Sequence, residues 1–149
     1  MPSSCQRYNN ADGNTKIFLQ RRKNYEKISV VVKRAGAEAD VMQIKPELES
    51  FQSLVEGYIE GVTPTEYLAE HNIVAYCNDE GKLNGLIPNL FFPEIKDVIF
   101  GTCVFVKADD EGDDVSMEQD EIEYVLKLCE ERSVPIGVTA LDLLKLIDF

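Results

Sequence analysis

The sequence predicts an α+β fold: a mainly antiparallel sheet of about five strands, two main helices packed on it, and a short C-terminal helix. Two observations carry that prediction. Apolar, β-branched runs recur at residues 28–32, 73–77 and 98–106, and short turn signals follow the first two. Two other segments, near residues 46–57 and 116–131, carry apolar residues at helical spacing. The length of 149 residues suits one domain with an extension. Residues 1–26 are expected to form a flexible or partly ordered N-terminal extension, and residues 27–149 a single α+β domain.

Each element has its own local reason. Ile28-Ser29-Val30-Val31-Val32 is β-branched and reads as a strand, and Asp40-Val41-Met42-Gln43-Ile44 returns from Gly36 as its hairpin partner. Pro46 suits the opening of a helix, where its missing N–H has no partner to lose. Leu48, Phe51, Leu54 and Val55 give that helix one apolar face, and Gly57 is expected as its left-handed cap. Tyr58-Ile59-Glu60-Gly61-Val62 is a strand candidate, and residues 63–70 form a connection with one short turn. Ile73-Val74-Ala75-Tyr76-Cys77 is a strand, closed by the turn Asn78-Asp79-Glu80-Gly81. Residues 83–89 continue as a short, kinked edge segment. Residues 98–106 read as one central strand, apolar on both alternations. After an acidic loop, Ser116 and Gln119 form a capping box for a helix with the stripe Ile122, Val125, Leu126 and Cys129. Thr139 caps a last helix bearing Leu141, Leu144, Leu146 and Ile147.

Composition narrows the function classes. The 15 Lys and Arg face 27 Asp and Glu, a net charge of -12, which disfavours direct nucleic-acid binding. No apolar stretch approaches the ~18 residues of a membrane span, and the N-terminus lacks the pattern of a signal peptide. The expected setting is therefore cytoplasmic, with reduced, buried thiols at Cys77, Cys103 and Cys129. The charge is polarised: residues 1–45 sum to +5 and residues 46–149 to -17. Such polarity suits attraction of two different partners, or of a second copy head to tail as a homo-oligomer.

Signals for catalysis are sparse. His71 is the sole histidine and has no nucleophile-elbow context, and no phosphate-binding glycine loop or zinc-protease motif is present. The reading is a non-enzyme without cofactor or metal site. The run Asp109-Asp110-Glu111-Gly112-Asp113-Asp114 invites a calcium loop. Placing Gly112 at the sixth position, however, puts Lys107 at the first, where it cannot ligate. With Glu118, Asp120 and Glu121 the run extends onto a helix start, and carboxylates in such a series imitate a phosphate backbone. Asp109, Asp110, Glu111, Asp113, Asp114, Glu118, Asp120 and Glu121 are accordingly the candidate partner-binding residues.

A second feature is the string Asn78-Asp79-Glu80-Gly81-Lys82-Leu83-Asn84-Gly85-Leu86-Ile87-Pro88-Asn89. With Gly57-Tyr58-Ile59-Glu60 before it and Gly101-Thr102 after it, the string resembles a family of small proteins from bacteriophages and mobile elements of gut bacteria, mostly Firmicutes. That family is known as a domain of unknown function. The resemblance covers residues 28–125 and implies a viral or plasmid setting, with no catalytic residues to carry over. It would place a glycine at position 56, where this chain has Glu56, and a glutamate where it has Asp79. Together with the charge it points to an acidic protein that antagonises a host defence complex, a CRISPR effector or restriction enzyme, by nucleic-acid mimicry. The alternatives are a binder that sequesters a nucleotide immune signal through Asn78, Glu80 and Asn89, and a non-catalytic accessory protein.

Overall fold

A computed structural model describes residues 27–81, 83–135, 137 and 142. The expected N-terminal extension and the last helix lie outside the described residues, save for Asp142.

The main sheet has six strands and is antiparallel at every pairing. Five run in the order β2 (Asp40–Ile44), β1 (Ile28–Lys33), β7 (Cys103–Ala108), β4 (Ile73–Asn78) and β3 (Ile59–Val62). β8 (Asp114–Val115) pairs with the end of β7. A separate two-stranded hairpin comprises β5 (Pro88–Phe92) and β6 (Asp97–Phe100). Among the described residues the helices are α1 (Leu48–Val55), the one-turn α2 (Glu66–Glu70) and α3 (Gln119–Arg132). The α+β class and the mainly antiparallel sheet are therefore as the sequence predicts.

Both faces of the sheet are covered, which is why its inner strands are apolar on both alternations. On one face Ile28, Val30, Val32, Val104 and Val106 pack with Phe51 and Val55 of α1. On the other, Val31, Ala75, Cys77 and Phe105 pack with Ile122, Val125, Leu128 and Cys129 of α3 and with the β5–β6 hairpin. Arg132 at the end of α3 holds Glu94 of the hairpin by two hydrogen bonds, at 2.5 and 2.7 Å. The thiols of Cys77, Cys103 and Cys129 are buried, and burial pushes that of Cys129 up to about 12.

Four local expectations are corrected. The run at residues 98–106 is not one strand. Gly101 turns left-handed at φ 79° and its N–H bonds the Ile87 carbonyl at 2.8 Å, so the run divides between β6 and the central β7. The helix after Pro46 starts later than expected, with Glu47 as N-cap, and Leu48 is 54% exposed. Its left-handed cap is Glu56, at φ 63°, one residue before Gly57. Gly57 answers a different need, since a Cβ there would lie 2.5 Å from the Asn78 side-chain nitrogen. The capping box of α3 joins Glu118 and Glu121, while the Ser116 hydroxyl accepts from the Ser29 N–H.

Candidate functional site

The acidic segment lies where β7 ends and β4 begins, since Ile73 pairs with Lys107. The loop between β7 and β8 is organised by one side chain. Asp109 Oδ1 accepts from the N–H groups of Glu111 and Asp113, both at 2.9 Å, which fixes the turn. One carboxylate oxygen each from Asp109, Glu111 and Asp113 falls within 4.8 Å of the others. Asp110 and Glu111 are exposed, and Asp109, Asp113 and Asp114 are half-buried. Burial first, and the charges of Asp113 and Asp109 second, push the Asp114 carboxyl up to about 6. Glu118 and Asp120 are exposed at the start of α3, which follows β8 directly.

Glu121 departs from this group and is corrected here: it is 3% exposed and belongs to the interior. Its oxygens accept from Lys107 Nζ at 2.8 and 3.1 Å and from the Glu118 N–H at 2.9 Å, and one stands 2.9 Å from His71 Nδ1. Burial works against its charge, yet Lys107, the Glu118 N–H and His71 outweigh it and hold the carboxyl below its usual range. The same ion pair, with Glu121 bonding first, raises the Lys107 ammonium. The His71 ring stacks on Tyr67, which stacks on Tyr124 of α3, with centroids 4.0 and 3.6 Å apart. The histidine is thus tied into the base of the acidic end. No sequence motif announces this network. The available signal is Lys107 closing an apolar strand with Glu121 three residues into a helix.

The string at residues 78–89 lies at the other end of β4. Asn78 is 7% exposed, and its amide donates to the carbonyls of Val55 and Glu56 at 3.2 and 3.3 Å. Its Oδ1 accepts from the Glu80 N–H at 2.8 Å, while the Glu80 side chain faces solvent. Asn89 has no exposed surface. Its amide donates to the carbonyls of Lys33 and Gly101 at 2.7 and 2.8 Å, and its Oδ1 accepts from Lys33 Nζ at 2.9 Å. The two amides are therefore spent on joining β4 to the end of α1, and β5 to β1 and the Gly101 turn, and they do not converge with Glu80 on one ligand. Lys33 itself is 1% exposed, and burial lowers its ammonium below the lysine range. It lines a cavity of about 730 Å³ whose charged groups, Glu38, Lys127 and Glu130, are of both signs.

Asn78 and Glu80 do line a smaller groove, of about 330 Å³, between β3, β4 and β6. Its other carboxylates are Glu60, Asp79 and Asp97. A phosphate entering there would meet negative charge.

Residues 28–130 match the description "Domain of unknown function (DUF3846)". The chain belongs to the DUF3846 family. The matched span opens on the first residue of β1 and closes within α3, so the DUF3846 domain holds the whole described sheet, the string and the acidic end. No curated protein and no solved structure shows significant similarity to the chain. Among the described residues of this DUF3846 domain, no helix is long and apolar enough to cross a membrane.

Proposed function

We propose that this chain is a non-catalytic interaction protein of a phage or mobile element. In this reading its acidic end enters the basic channel of a host nucleic-acid-handling defence complex inside the bacterial cell. The observation that carries the reading is the grouping of seven carboxylates, Asp109, Asp110, Glu111, Asp113, Asp114, Glu118 and Asp120, at one end of the molecule with at least part of each open to water. Clustered charge of one sign raises the on-rate for an oppositely charged partner and competes with a phosphate backbone for it. Glu121, buried and paired with the half-buried Lys107, adds no net charge to this surface. The Asp109-ordered turn holds the loop in one shape before binding, which lowers the ordering cost of association.

The test is competition. Labelled duplex bound to a CRISPR effector or a restriction enzyme is challenged with the full chain at rising salt. Release of duplex is expected, weakening as the Debye length falls from ~10 Å at 0.1 M to ~3 Å at 1 M. A variant carrying Asp109→Asn, Asp110→Asn, Glu111→Gln, Asp113→Asn, Glu118→Gln and Asp120→Asn keeps the side-chain acceptor at position 109 but removes the charge. It is expected to lose competition, chiefly through slower association. Competition that survives neutralisation, or that ignores salt, sinks the reading.

A further inference from the structure

The groove beside the string has features that the acidic end does not explain. Its floor is apolar, formed by the buried Cys77, Val98 and Ile99 with the half-buried Val62. On its rim stand Leu83, 84% exposed, and Ile95, 41% exposed. Ile87, on the same loop as Leu83, is 62% exposed. Aliphatic side chains held in water cost free energy that covering them recovers, at roughly 25 cal/mol per Å². Around them stand the groove's four carboxylates. Glu60, Asp79 and Glu80 are exposed, and none of the three has a cationic partner among the described residues. No Lys or Arg is among the described lining residues.

The string builds this groove. Asn78 pins the end of β4 to the end of α1 and, through the Glu80 N–H, fixes the turn that carries Asp79 and Glu80. Gly81 lets that turn lie against β6, because a Cβ there would sit 3.0 Å from the Phe100 carbonyl. The rim charges are therefore held on a braced turn, as a preorganised site requires.

We propose that this groove is a second docking site. It takes a segment of a partner protein that sets an aliphatic side chain on the apolar floor and flanks it with Lys or Arg against the rim. Charge complementarity selects the basic flanks and rejects acidic peptides and nucleotides. A small ligand within about 330 Å³ would leave Ile87, which does not line the groove, in water, whereas a polypeptide covers it. The site is independent of the acidic end. The six-residue β4 separates them by about 20 Å at ~3.3 Å per residue, beyond the ~8 Å Debye length of physiological salt.

The experiment uses the full chain in a background with Asp109, Asp110, Glu111 and Asp113 neutralised, so that the acidic end does not compete. The probe is a short synthetic peptide alternating Leu with Arg. Amide resonances of Glu60, Asp79 and Val98 are expected to shift on titration. Leu83→Ser with Ile95→Ser is expected to weaken binding at least ~10-fold, because the peptide no longer covers the two exposed aliphatic side chains of the rim. Asp79→Asn with Glu80→Gln is expected to weaken binding and flatten its salt dependence. Both changes are on the surface, and an unchanged urea midpoint checks that each variant folds. A peptide alternating Ser with Arg that binds equally well overturns the proposal. So do shifts confined to other regions, no binding, or full affinity in both variants.

Discussion

Glu121 is the residue on which the acidic end rests. It combines a helix cap with an ion pair, so Glu121→Gln separates the two: glutamine still reaches the Glu118 N–H but offers Lys107 no charge. Lys107 keeps 20% side-chain exposure and turns to water, which limits the damage. We expect a loss of about 1–3 kcal/mol at pH 7, read from urea midpoints. The glutamate carboxyl is held below its usual range, so its contribution is present above the unfolded value near 4.3 and disappears as pH falls through the folded one. The variant therefore approaches the parent in acid. Glu56 makes the opposite case. A left-handed backbone at φ 63° strains any residue with a Cβ, and this is the position where the family resemblance places glycine. Glu56→Gly is expected to raise stability, read from the urea midpoint, by about 0.5–1 kcal/mol after the greater freedom of unfolded glycine is deducted.

Among the elements, the two long helices differ in how firmly they are seated. Val125 of α3 has no exposed surface, while Leu54 of α1 is half-buried at the margin of its face. Val125→Ala is expected to cost about 1–3 kcal/mol and Leu54→Ala distinctly less, measured side by side in urea. Periodicity made these faces legible in the sequence: Phe51 with Val55, and Ile122, Val125 and Cys129, are the residues found inside. Periodicity did not reveal the division at Gly101, because an apolar run looks the same whether it crosses one sheet or turns between two. Only the bond from its N–H to Ile87 and the carbonyl it offers Asn89 settle the turn there, and both partners come from around the start of β5, twelve or more residues earlier. Of the candidate site, the exposed carboxylates were readable from charge alone. The inward turn of Glu121, Asn78 and Asn89 was not, since each is buried by partners remote in the chain. Lys33 carried a faint sign: it continues the alternation that begins with the buried Val31.

For the molecule as a whole, stability and the acidic end pull against each other. Asp114 binds its proton more tightly folded than unfolded, since its carboxyl is pushed from 3.8 to about 6. The folded state therefore holds the extra proton between those values, and stability falls as pH rises through that window. That difference corresponds to under ~3 kcal/mol, and screening of a half-buried group reduces it to about 1 kcal/mol. Asp114→Asn is expected to remove that decline, so urea midpoints at pH 4 and pH 7 draw together.

The strand order has its own consequence for how the chain is made. The central β7 follows almost everything it joins: Val31 waits for Phe105, and Val74 waits for Val106. A ribosome adding ~5–20 residues per second releases β1 with β2, and then β3 with β4, seconds before the strand between them exists. Two-stranded pieces are marginal in water, and each pair meanwhile shows an apolar inner edge that invites the wrong neighbour. Nascent chains that stop before Cys103 thus leave these two sticky strand pairs with nothing to join them, a substrate for chaperones and proteases.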